Sequence, residues 1–198
     1  MPQRPLQPAT DPGPVAPRRQ QLLPNGVLGM FIFVLTEVML FAGLVSAFMI
    51  VRANAVEWPP PGQPRLPVGE TAINTAALLA SGGVLWYANR TYAVWPSRAR
   101  VPLAVAIALG AFFVLFQGFE WLALIREGLT LTSSAHGSFF YLIVGTHALH
   151  AVAALIALGW AWSQLSRRKL RQGTLWAVSI FWYFVVGVWP ILYLRVYL

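Results

Sequence analysis

The chain has 198 residues, of which 58% are hydrophobic and only 10% charged, with nine tryptophans and a mean hydropathy of +0.63. That composition excludes an ordinary soluble domain, and the absence of cysteine excludes disulfides, thiolate-bound metal and iron–sulfur clusters. The net charge of +8 sits in segments between apolar runs rather than in a folded basic domain with base-reading groups, so no nucleic-acid partner is expected.

In chain order, residues 1–25 are proline-rich and lack an apolar run, which predicts an extended cytoplasmic arm ahead of a transmembrane domain at 26–198. The "PRRQQLL" stretch with "ANA" further on resembles a twin-arginine signal with a cleavage site. The apolar run between them is too long for a signal core and contains Glu37, so a span is expected instead. A bilayer core of about 30 Å takes roughly 20 apolar residues as a helix, and five such runs follow at 26–51, 71–89, 101–125, 137–162 and 174–197. Strands of about ten residues alternating in polarity, the mark of a membrane β-barrel, do not occur. The fold class is therefore an all-α membrane protein, a bundle of five transmembrane helices with short connections.

Basic residues set the expected orientation. Arg4, Arg18, Arg19, Arg90, Arg98, Arg100, Arg167, Arg168, Lys169 and Arg171 fall on one side, whereas Arg52, Arg65, Arg126 and Arg195 fall on the other. The N-terminus is thus expected in the cytoplasm and the C-terminus in the periplasm.

Ionisable residues inside spans are costly and become functional candidates by default. Glu37, about eleven residues into the first span, lies near the bilayer midplane at 1.5 Å per residue. Glu120 sits about 9 Å from the outer end of the third span, with Gln117 one turn earlier on the same face. His147 and His150 lie at comparable depth on the fourth, so a contact between Glu120 and one of these histidines is expected. A single helix offering residues i and i+3 cannot ligate both faces of a haem, and His136 belongs to the same segment. A dinuclear metal site would want further acids on other helices. Interhelical hydrogen bonding is the favoured reading, with Thr71, Asn74, Thr75 and Ser81 as further cross-helix donors. Gly43 with Ala47, Ala72 with Ala76 and Ala80, and Ala151 with Ala154 and Ala157 are expected to admit close helix approach. Trp58, Trp95, Trp121, Trp176 and Trp189 are expected in interfacial belts.

The series "TEVMLFAGLVSAF", "EWPPPG", "INTAALLASGG", "FQGFEW", "GSFFYLIVGTHALH" and "FWYFVVGVW" resembles, in order and over residues 26–198, subunit III of the haem–copper terminal oxidases in its five-helix short form. The resemblance implies a subunit without redox centres, in the bacterial cytoplasmic (inner) membrane. It would pack against catalytic subunit I and subunit II, where haem and copper reside, bind phospholipid and sustain proton uptake. It also implies that Glu37 is the family's intramembrane glutamate, Glu120 its helix-3 acid, and His147 with His150 its histidine pair. The last helix departs from the family pattern: Tyr183 stands where that pattern has a histidine and Val186 where it has an aspartate. This departure admits a quinol oxidase or the accessory protein of nitric oxide reductase. A small proton channel or transporter is the alternative of a different class, although the paired helix interruptions of transporters are scarce here.

Overall fold

The computed structural model describes residues 24–198, and the proline-rich arm expected at 1–25 lies almost wholly outside the described residues. The regular structure of the described residues is helical: α1 (Asn25–Ala53), α2 (Val68–Val94), α3 (Arg100–Arg126), α4 (Ala135–Ser166) and α5 (Gln172–Leu192). A 3-10 turn (Pro96–Ala99) joins α2 to α3, and a π turn (Tyr193–Tyr197) continues α5. The helices α1 to α4 overrun their apolar runs at both ends, because a helix keeps its backbone bonds paired until a residue stops it, whereas α5 gives way to the π turn before its run ends.

The stops are local. Ser134 caps α4 by accepting from the Gly137 backbone N–H at 3.1 Å. Pro96 opens the 3-10 turn, where its missing N–H has no helical partner to lose. Gly128 at φ +94 lets the chain double back, so that Leu129 N–H reaches Leu124 O at 2.9 Å and closes α3. Pro190 withdraws one backbone donor inside α5, and the π turn begins three residues later.

The helix α5 occupies the middle, in contact with α1, α2 and α4, while α3 packs between α2 and α4 and α1 leans on α5 and α4. Trp182, Trp189, Phe113, Phe140, Leu78 and Leu158 form the core. Large apolar side chains also cover the outside: Met39 is 75% exposed and Leu149 69%, which suits hydrocarbon and not water. Among the described residues, four helical segments are long and apolar enough to cross a membrane: Asn25–Ala53, Pro96–Arg126, Ala135–Ser166 and Gln172–Tyr197. At 27 residues α2 is also long enough. Its polar side chains lower its hydropathy, and most of them turn inward.

Three expectations about packing are corrected. Gly43, Ala47, Ala72, Ala76 and Ala80 lie on exposed faces, not at helix contacts. The close approaches are instead at Gly110, where an added Cβ would lie 2.6 Å from the Trp182 ring, and at Gly82, where it would lie 3.1 Å from Val186. Trp189 is fully buried and belongs to no interfacial belt. The Ala151 and Ala154 face is buried as expected.

Candidate functional site

Two polar clusters lie within the bundle. The first is built on α2, whose Thr71, Asn74, Thr75, Leu78, Ser81, Gly82 and Leu85 are buried on one helical stripe. Asn74 Nδ2 donates to Phe113 O on α3 at 3.1 Å, and Ser81 Oγ donates to Ala106 O at 2.9 Å. From α5, Trp182 Nε1 donates to Ser81 Oγ at 3.0 Å and Trp189 Nε1 to Thr75 Oγ1 at 2.8 Å. These four bonds stitch α2 to both of its neighbours.

Glu120 closes this ladder at the end where α2 begins. Its carboxylate oxygens lie 3.0 and 3.1 Å from Thr71 Oγ1, and Gln117 Nε2 donates to it at 2.7 Å. The same amide donates to Tyr197 Oη at 3.0 Å, which ties the π turn to α3. The expected contact of Glu120 with His147 or His150 does not form. Its partners come from α2 and α3, because its side chain points away from α4.

The second cluster joins α1 to α4. His150 Nε2 lies 3.0 Å from Glu37 Oε2, and Nδ1 lies 2.7 Å from Thr146 O. A carbonyl oxygen only accepts, so Nδ1 carries a proton. Nε2 then faces the Glu37 carboxyl and joins α4 to α1. Phe41, Phe181 and Phe184 surround the imidazole edge-on, and the pair sits part-buried between α1 and α4.

His147, one turn earlier, is used differently. It is 1% exposed, its ring lies 5.0 Å from Trp189 at 32°, and neither nitrogen has a hydrogen-bond partner among the described residues. A cavity of about 150 Å³ beside it is lined by Gln117, Trp121 and Trp189. His136, buried at the start of α4, meets Trp58 edge-on at 5.0 Å.

The departures in α5 also find their places. Asn89 Nδ2 donates to Ser179 Oγ at 2.9 Å and to Tyr183 Oη at 3.3 Å, so Tyr183 keeps a polar link to α2. Val186 packs on Gly82, filling the space that the missing Cβ leaves. Sequence reasoning missed Asn89, Gly82 and Gly110. Asn89 was legible as a further polar residue on the stripe that carries Ser81 and Leu85.

Among the described residues no group of three or more His, Cys, Asp and Glu could hold a metal ion. Long apolar helices, apolar outer faces and polar groups consumed in interhelical bonds define a multi-pass helical membrane protein. Comparison with known proteins gives the family. Residues 19–198 match the family described as cytochrome c oxidase subunit III, and the chain belongs to that family. It is 33% identical over 190 residues to a probable cytochrome c oxidase subunit 3 of Nocardia farcinica, covering 88% of each chain. It is 34% identical over 183 residues to the probable subunit 3 of Mycobacterium leprae, again 88% of each. It is 32% identical over 183 residues to the subunit 3 of Bacillus subtilis, covering 88% of this chain and 86% of that one. The chain is accordingly an accessory subunit of a haem–copper oxidase of the respiratory chain, and works in a complex with other oxidase subunits.

Proposed function

We propose that this chain is a non-redox packing subunit that holds against subunits I and II of the oxidase, binds phospholipid and sustains proton uptake by the catalytic subunit. Haem and copper then reside in the partners. In this reading α2 spans the bilayer with the other four helices, the N-terminus faces the cytoplasm, and the membrane is the bacterial inner membrane. The observation that carries the reading is the way polar side chains are used: Glu120, Thr71, Gln117 and Tyr197 bind one another, and Glu37 binds His150. A transporter would leave such groups facing a substrate path. Here they tie four helices and the π turn together.

Purification of the native complex in mild detergent, followed by optical spectroscopy and native mass spectrometry, tests this. The expected result is copurification with larger subunits that carry oxidase haems and copper. A chain that runs alone, or with a nitric oxide reductase holding non-haem iron, would overturn it.

A further inference from the structure

The groove between α2 and α5, at the end where α2 finishes and α5 begins, is used by neither polar cluster. It encloses about 280 Å³ and is lined by Trp86, Asn89, Arg90, Trp176, Ile180 and Tyr183 among others. Its walls are indole and aliphatic, with Trp86 55% and Trp176 45% exposed. The Arg90 guanidinium sits over the Trp86 ring at 5.0 Å, and no carboxylate lies within ion-pair distance of it among the described residues. Stacking on an indole holds a guanidinium in place while leaving its N–H edge free for an anion. Deeper in, Tyr183 Oη accepts from Asn89, so its own hydroxyl proton remains free to donate, and Asn89 Oδ1 is buried with no hydrogen-bond partner.

We propose that this groove is a binding site for an anionic phospholipid, with the headgroup phosphate on Arg90 and a headgroup hydroxyl reaching the Asn89 and Tyr183 pair. The upper acyl chain lies between Trp86, Trp176 and Ile180. The site rests on the lipid-binding part of the function proposed above. A lipid is the occupant rather than free phosphate because a small anion would leave the apolar wall uncovered, whereas an acyl chain fills it. The volume lies just below the range of sites that engulf a whole ligand, so the groove takes the headgroup and the first methylenes and leaves the tails in the bilayer. The position suits this, since Arg98, Arg100, Arg167, Arg168, Lys169 and Arg171 gather at the same end of the bundle, and each cation near a membrane surface favours anionic lipid.

The test uses the whole purified complex, reconstituted with phosphatidylglycerol carrying a photoactivatable group on its upper acyl chain, with labelled peptides mapped by mass spectrometry. Label is expected on the α2–α5 groove. Arg90→Gln should reduce it about fivefold, and Arg90→Lys should restore most of it. Trp86→Leu, which keeps the wall apolar but removes the surface under the guanidinium, should lower it as well. Unlabelled phosphatidylglycerol should compete, but phosphatidylcholine and glycerol phosphate should not. Equal competition by phosphatidylcholine would overturn the charge recognition, and competition by glycerol phosphate would overturn the lipid as the occupant. Label elsewhere on the chain but none in the groove would overturn this site while leaving lipid binding intact. No label anywhere on the chain would overturn both.

Discussion

Glu37 and His150 meet at 3.0 Å across α1 and α4, and the proton on Nδ1 of the imidazole decides what each substitution does. In Glu37→Gln the side-chain amide can still donate to Nε2, so stability should change little. Glu37→Ala leaves Nε2 unpaired between α1 and α4 and should cost about 0.6 to 2 kcal/mol. Unfolding of the complex by sodium dodecyl sulfate in mixed micelles would measure both. Glu120 follows the same rule with other partners: Glu120→Gln should be close to neutral, while Glu120→Ala leaves one N–H of the buried Gln117 amide unpaired and should cost about 1–3 kcal/mol. The two clusters share no residue, so Glu37→Ala and Glu120→Ala should add to within about 0.5 kcal/mol in the double variant. A larger coupling would mean that the acids act as one network. The candidates Glu37, Gln117, Glu120, His147 and His150 were legible in the sequence because ionisable and amide groups stand out in apolar runs. Their pairing was not. A rise of 1.5 Å per residue gives depth in the bilayer, but the direction in which a side chain leaves its helix depends on how that helix is rotated against its neighbours.

At the scale of the element, α2 is the helix whose sequence is least apolar and whose polar face is most used. Its stripe from Thr71 to Leu85 meets carbonyl oxygens of α3 and indoles of α5, and these bonds satisfy polar groups that burial takes away from water. Close approach then depends on glycine at two places. Gly110→Ala would drive a Cβ into the Trp182 ring and Leu155 Cδ2 and should destabilise by about 1–3 kcal/mol. The readout is a lower thermal midpoint of the complex, and an unchanged midpoint would show that Trp182 swings aside at no cost. Val186→Asp would restore the residue of the family pattern but place a carboxylate against Gly82 with no histidine at position 183 to receive it. It should reduce the amount of assembled complex in membranes, while Val186→Ala should retain most of it. Partial recovery in Val186→Asp with Tyr183→His would show that the family's polar pair can be rebuilt on this backbone.

For the whole molecule, the exposed apolar shell requires a low-dielectric surround on nearly every side. Reporter fusions at residues 60, 97, 130 and 169 should alternate in compartment, starting outside, if all five helices cross. Equal compartments at 60 and 97 would show that α2 does not cross the bilayer. The peripheral position of α1, which packs mainly on α5 and more lightly on α4, leaves its Phe31, Ile32, Leu35 and Met39 side uncovered for lipid or for a neighbouring subunit.

Apolar run lengths alone determined that this is a helical membrane protein with five long helices, since the thickness of hydrocarbon dictates how many apolar residues must be consecutive. The ordered motifs alone determined the family, because residues such as the His147 and His150 pair are too costly in a membrane to recur in that order by composition. Only the tertiary structure decided that Glu120 faces Thr71 rather than a histidine, that His147 stacks on Trp189, and that Gly82 and Gly110 rather than Gly43 carry the close contacts. Helix rotation and the choice of neighbours follow from the joint packing of five surfaces, all of them apolar enough to look alike in the sequence. Small differences in side-chain shape across distant segments settle that packing, and no local pattern in the chain records it.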